Sequence, residues 1–231
     1  LEVGPGLGEM TVALASQVKK VIAVEIDSKL VEILKKKTTD LANVEVIKED
    51  ILKINFNEFL DQEGRRLNVV ANLPYQISTP LLFRFIESRD LFSSLTVMLQ
   101  REVAERMVAS PGGKDYGPLS IFTQSVSNVS IQFYIKPSAF FPSPKVESAL
   151  IRIVWKERPL VRLEEVNWFK KVVKGCFSYR RKRLINALKH ADLLLPADPE
   201  KRIEMIGIDP LRRPETLTIQ EFVSLADALR R

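Results

Sequence analysis

Apolar and polar positions divide this chain into two regimes. Over residues 1–155, short apolar runs rich in β-branched residues recur at 1–3, 21–25, 44–48, 67–71, 95–99, 129–135 and 146–154. Between the first five, the spacing switches to that of amphipathic helices, over 10–18, 29–37, a short stretch at 57–60, and 80–86. Strand–helix alternation predicts an α/β fold, a parallel sheet with helices on both faces. The helix over 80–86 has Ser78 or Thr79 available as N-cap and Pro80 at its first position. Further helices are expected at 102–108 and 119–126. No helix separates the last two strands, and the loop at 136–144 is too long for a tight hairpin. They are therefore expected to form an antiparallel pair closing one edge.

After residue 155 the pattern changes. A charged stretch containing Pro159, residues 155–167, reads as a linker, and everything beyond it is helical: 168–177, 181–189, 199–206 and 219–229. Thr218-Ile219-Gln220-Glu221 has the form of a capping box for the last helix. Two domains follow, a sheet domain at 1–155 and a small all-α domain at 156–231. Charge sharpens the division. Residues 1–155 carry 18 Lys/Arg against 18 Asp/Glu, whereas 156–231 carry 17 against 11, so the net +6 lies wholly in the tail. Such an excess fits either a polyanion-binding surface or a solvated helical face. A lone cysteine, Cys176, and a lone histidine, His190, argue against a disulfide framework or a zinc cluster, and both are assigned structural places. No apolar run reaches the roughly 18 residues needed to span a bilayer, and the start is not signal-like. A soluble protein of the reducing cytoplasm is expected, monomeric and without metal. The glycine turn arrives at residue 4, where a parallel strand of about five or six residues should precede it. The chain is thus expected to be truncated within its first strand.

Two turns carry the chemistry. Glu2-Val3-Gly4-Pro5-Gly6-Leu7-Gly8 is a glycine-rich bend between strand and helix, where Gly4, Gly6 and Gly8 let a ligand approach the backbone. Dinucleotide-binding folds use nearly the same pattern. Glu2 is placed to meet a cationic amino-acid moiety, Glu25 at the second strand's end to hold ribose hydroxyls, and Asp50 after the third strand to accept from an adenine amino group. With Ile26 and Ile51 beside these acids, the set describes S-adenosylmethionine better than a nicotinamide dinucleotide. The second turn, Asn72-Leu73-Pro74-Tyr75, closes the fourth strand. The Asn72 carbonyl and a backbone carbonyl of the turn, that of Leu73, can accept both N–H bonds of an exocyclic amine. Pro74 stiffens the turn, and Tyr75 offers a face for stacking.

These residues, in this order, resemble the bacterial rRNA adenine N6,N6-dimethyltransferases of the KsgA/Dim type. The resemblance runs through Val24-Glu25-Ile26-Asp27, Glu49-Asp50, Asn72-Leu73-Pro74-Tyr75-Gln76-Ile77-Ser78 and Gln100-Arg101-Glu102-Val103-Ala104-Glu105-Arg106. It continues through Tyr116-Gly117-Pro118-Leu119-Ser120, Phe140-Phe141-Pro142-Ser143-Pro144-Lys145-Val146-Glu147-Ser148, Phe177-Ser178-Tyr179-Arg180-Arg181-Lys182 and Gly207-Ile208-Asp209-Pro210. It implies a Rossmann-like, S-adenosylmethionine-dependent methyltransferase sheet. The implied activity is dimethylation of two adjacent adenines near the 3′ end of small-subunit (16S) rRNA, within an assembling small subunit. It also implies that Glu25 binds ribose, Asp50 the cofactor adenine, and Asn72 with Tyr75 the target base. Phe140 would stack on that base from the other side while Phe141 turns to the core. Arg180, Arg181, Lys182 and Arg183 are assigned to rRNA phosphates. The family's N-terminal cofactor-closing motif is missing, Gln76 stands where Asn is common, and Pro118 where a basic residue is common. Rival expectations are an adenine methyltransferase of large-subunit rRNA and a mainly non-catalytic assembly factor.

Overall fold

The computed structural model describes residues 1–60, 64–141, 143–179, 181–191 and 193–230. Three strands, β1 (Glu2–Val3), β2 (Val21–Glu25) and β3 (Val44–Lys48), pair in parallel in the order β1-β2-β3. Four more, β4 (Leu67–Asn72), β5 (Phe92–Gln100), β6 (Ser127–Ile135) and β7 (Ser148–Trp155), run in the order β4-β5-β7-β6. Leu1 joins the two groups. Its N–H donates to Asn68 O at 2.8 Å, and its carbonyl accepts from Val70 N–H at 3.0 Å. Strand order is thereby 3-2-1-4-5-7-6, and it changes direction across the sheet between β1 and β4. In open α/β sheets the crevice beyond the strands' carboxyl ends at such a reversal is where ligands bind.

The expected edge pair takes a modified form. β7 is antiparallel to β5, with Leu95 opposite Ile153 and Gln100 opposite Ser148, and β6 lies outside β7 at the edge. All five residues of β2 are buried, as its unbroken apolar run requires of a central strand. Helices α1 (Glu9–Ala15) and α2 (Ser28–Lys37) connect the first strands. Asp27 caps α2 by accepting from Lys29 N–H at 2.8 Å, and Lys35, Lys36 and Lys37 close it, where cations oppose the helix dipole favourably. The expected helix at 57–60 is a single 3-10 turn, Phe56–Phe59, and Phe56 joins Phe85 and Phe92 in the core. α3 (Ser78–Glu87) starts earlier than its cap signals suggest. Ser78 does not cap it, because its hydroxyl donates to Tyr75 O at 3.1 Å.

Contacts within the chain group into two units, Leu1–Ala104 with Ser130–Val154, and Glu105–Val129 with Trp155–Arg231. From the sequence alone the boundary falls at 155/156. The difference has a physical cause in α5 (Pro118–Val126), which follows α4 (Arg101–Val108) and is buried nearly all round. Such a helix must be covered on every side. In the second unit Phe122 meets Phe169 of α6 (Val166–Ser178), and Tyr116 donates to Leu217 O at 3.0 Å. Phe177 meets Phe222 of α9 (Ile219–Ala228), and Trp168 Nε1 donates to Ala226 O. Cys176 is buried among these helices. Residues 155–167 are no loose linker: Lys156 and Leu160 donate backbone bonds to Val126 and Ser125, and Val161 is buried. Helices α7 (Leu184–His190) and α8 (Pro199–Met205) complete the unit, and the capping box closes as expected. Thr218 Oγ1 accepts from Glu221 N–H, and Glu221 Oε2 accepts from Thr218 N–H.

Candidate active site

At the carboxyl ends of β1, β2 and β3 the backbone builds a cavity of about 280 Å³, walled by Val3, Gly4, Glu25, Ile26, Asp50, Ile51, Pro74 and their neighbours. The glycine bend lies at its rim. Gly4 has φ +62°, and a Cβ there would come within 3.3 Å of Pro74 Cγ, so the missing side chain lets the bend and the Asn72 turn meet without crowding. Gly8 starts α1 in the left-handed conformation at φ +81°, and a Cβ there would fall 2.3 Å from Leu34 Cδ1. Gly4 thus lines the cavity, whereas Gly6 and Gly8 shape the bend without being walls of it.

Glu25 organises this corner. Its Oε1 accepts from the N–H groups of Ile26 (2.9 Å) and Asp27 (3.1 Å), and its Oε2 from Gly6 N–H (3.3 Å). A nearly buried carboxylate is therefore held at the end of β2 by three backbone amides. Asp50 is held in a similar way, with Oδ1 accepting from Leu52 N–H at 2.9 Å. The loop carrying Asp50 and Ile51 is clamped by Arg84 of α3, which donates to Ile51 O and Ile54 O, both at 2.5 Å, while lying over Phe56. Nothing in the sequence singled out Arg84, whose partners are about thirty positions away. Its only signal is a cation on the otherwise apolar face of a helix.

Glu2 behaves differently from its expected role. It is not a wall of the cavity; its side chain is wholly buried beside Thr11 of α1, and both carboxylate oxygens lack a hydrogen bond among the described residues. Burial raises its pKa, while Thr11 and the positive amino terminus pull the other way.

The Asn72 turn forms a second, more open cavity of about 390 Å³ with Leu73, Pro74, Tyr75, Phe140, Phe141 and Pro144. Leu73 is anchored in the core and donates its N–H to Met98 O at 3.1 Å, leaving Asn72 exposed at the strand's end. Pro74 O accepts from Ile77 N–H, and the Tyr75 hydroxyl sits 2.9 Å from Ser148 Oγ, fixing the ring. Phe140 is half-buried, and Phe141 is fully exposed rather than in the core. The physical reason is the loop: Phe140 N–H and Ser143 Oγ both donate to Pro137 O, closing 137–143 on itself and turning Phe141 outward. Pro74 is a wall of both cavities, so the two turns adjoin as the sequence suggested.

In the second unit, Arg181, Lys182 and Arg183 are exposed in the turn before α7 rather than on a helix, with Lys182 5.1 Å from the Tyr179 ring centre. Arg180 lies outside the described residues. No described helix is long and apolar enough to cross a membrane.

Comparison with known proteins agrees with this geometry. A family model described as ribosomal RNA adenine dimethylase matches residues 1–230. A relative from Geobacter metallireducens, named ribosomal RNA small subunit methyltransferase A, is 46% identical over 99% of this chain and 84% of its own length. One of the same name from Alkaliphilus oremlandii is 45% identical over 99% and 81%. Among solved structures, a dimethyladenosine transferase from Plasmodium falciparum superposes with a TM-score of 0.79 at 28% identity, covering 97% of this chain and 86% of that one. The 23S rRNA methyltransferase ErmE shares the fold, with a TM-score of 0.67 at 23% identity over 99% and 89%. With its sheet order, its two adjoining cavities and a family match along nearly its whole length, the chain belongs to the ribosomal RNA adenine dimethylase family.

Proposed function

We propose that this chain transfers methyl groups from S-adenosylmethionine to N6 of two adjacent adenines near the 3′ end of small-subunit rRNA. Its substrate is an immature small ribosomal subunit, and it acts as a monomer in the cytoplasm. The observation that carries this reading is the shared Pro74 wall between the cavity of acids and the Asn72 cavity. The relatives named for the small subunit support that target, since they stand at 45–46% identity whereas the 23S enzyme shares only the fold.

The donor set suits an adenosine. Glu25, its carboxylate oriented by three amides, accepts from the ribose hydroxyls. Asp50, with Oδ1 committed to Leu52, offers Oδ2 to the adenine amino group, and Ile26 and Ile51 give that ring apolar faces. When bound, the cofactor supplies an activated methyl group on a sulfonium, so no nucleophile or strong base is demanded of the protein. The residues of the chain have the acceptor to manage. The adenine amino lone pair is delocalised into the ring; the Asn72 side-chain carbonyl and the Leu73 backbone carbonyl accept its two N–H bonds and favour a pyramidal nitrogen. This is positioning and electrostatic preorganisation. Unstacking the target base costs a few kcal/mol, which stacking against Tyr75 and Phe140 offsets. Arg181, Lys182 and Arg183 meet rRNA phosphates.

The test is Asn72→Ala. Methyl transfer to immature small subunits is expected to fall by about 100-fold or more, the scale set by losing one preorganised polar group in a transition state. Calorimetric titration with S-adenosylhomocysteine should be nearly unchanged. Parallel losses in transfer and in cofactor binding would remove Asn72 from the acceptor role.

A further inference from the structure

We propose that Tyr134, held beneath Arg101, is a stacking platform for the nucleotide next to the target adenine. This rests on the proposed function, in which an RNA strand enters the Asn72 cavity with one base turned out.

β6 is the edge strand, and its residues alternate as far as Gln132, after which Phe133 and Tyr134 are both exposed. Val129 and Ile131 are half-buried while Asn128, Ser130 and Gln132 face solvent, and Tyr134 continues that outward set. Edge strands generally expose polar or charged side chains, which discourage pairing with other chains. An aromatic ring at the end of such a polar row is out of pattern. It is also held in place. The Arg101 guanidinium lies 4.8 Å from the ring centre, pairs with Glu147 Oε2 at 2.6 Å, and shares a backbone with the Arg101 N–H that donates to Glu147 O at 2.9 Å. Tyr134 and Arg101 nonetheless stay about half exposed. Because Glu147 compensates the cation, the pair offers a flat, polarisable face more than net charge. That suits a base and not a phosphate.

The platform is linked to the Asn72 cavity through the chain. Tyr75, a wall of that cavity, is bonded to Ser148, which follows Glu147 directly and lies opposite Gln100, the residue before Arg101. The residue that fixes Tyr75 and the one that fixes Arg101 are therefore neighbours along the chain. When one base leaves its stack for the cavity, its neighbour loses a partner, and Tyr134 with Arg101 supplies a replacement face. With two adjacent adenines as the target, that neighbour is the other adenine whenever it lies on the platform's side.

The test is a coupling measurement on binding. Fluorescently labelled RNA hairpins with two adjacent unpaired adenines are titrated by anisotropy, intact or with the base removed on either side of the target. Tyr134→Ala should weaken binding of the intact hairpin about tenfold, the lower range for one stacked base. Removing the base on one of the two sides should cost the wild-type chain the same, and the two changes together should cost no more than either alone. Tyr134→Phe, which keeps the ring, should bind like the wild type. Losses that multiply, an unaffected Tyr134→Ala, or wild-type binding no tighter than to a fully paired hairpin each overturn the platform. Methyl transfer to immature small subunits is scored separately. Coupled binding without transfer would sink the enzymatic reading and leave the platform standing; transfer without coupling would do the reverse.

Discussion

The two halves of the crevice reach their shape by opposite means. At the ends of β1–β3 the site is made of backbone: a glycine bend, a carboxylate held by three amides, and a loop pinned by Arg84. Beyond β4 it is made of side chains standing in solvent: Asn72 exposed, Phe141 fully exposed and Phe140 half-buried on a loop closed by its own hydrogen bonds. The difference fits the two ligands. A small cofactor of fixed shape is served by a rigid mould in which binding groups double as structural ones. An rRNA base needs a more open mouth. Damage on the cofactor half should therefore cost stability and binding together, whereas damage on the acceptor half, as with Asn72→Ala, should cost chemistry alone.

The largest effect expected on the cofactor half is that of Glu25→Ala. Two hydrogen bonds to a charged acceptor are lost, each worth about 1.5–3 kcal/mol, so affinity for S-adenosylhomocysteine should fall by about 150-fold or more. The amides of Gly6, Ile26 and Asp27 lose their common acceptor as well, and the melting temperature should drop with the affinity. Calorimetry and a thermal melt on one preparation read both. A variant that loses cofactor at an unchanged melting point would break the contrast between the halves.

Gly8→Ala probes the mould without touching a cavity wall. The left-handed backbone costs a residue with a Cβ about 1–2 kcal/mol. The added atom would also meet Leu34, which is fully buried and cannot swing aside. With overpacking at about 1–3 kcal/mol, the stability loss should be about 2–5 kcal/mol, read from urea denaturation midpoints at constant slope. A loss below about 1 kcal/mol would mean that Leu34 relaxes and that the bend is less fixed than its contacts imply.

What was legible in the sequence is whatever depends on neighbours along the chain. Strand–helix alternation, acids at the strand ends, the Asn72 turn and the Thr218–Glu221 box are local patterns, and each has its counterpart in the structure. What stayed hidden depends on distant partners. Arg84 cannot be tied to the Asp50 loop until α3 is docked. Nor can α5 be assigned to the helical unit until Phe169 covers Phe122. The resemblance puts Phe140 on the base and Phe141 in the core, yet Phe141 stands fully exposed beside a loop bonded to Pro137 O. The burial of Glu2 is of the same kind: proximity to the bend says nothing about which side of a two-residue strand its carboxylate occupies.

That carboxylate allows the smallest and most selective test of the mould. Burial raises the pKa of Glu2 above its ordinary value of 4.5, against the opposing pull of Thr11, so the folded chain holds this proton more tightly than the unfolded chain does. The group's contribution to stability is then fully present below pH 4.5 and is lost as pH rises through the folded-state value. Glu2→Gln keeps the shape and removes the charge. The variant should match the wild type at pH 4 and exceed it at pH 8 by about 1 kcal/mol, the low end for relieving an unsatisfied buried polar group. Urea unfolding at the two pH values measures the difference. A wild type more stable than the variant at pH 8 would show that the carboxylate is held charged by a partner, and that the first strand, like Glu25, belongs to the set of acids the backbone actively orients.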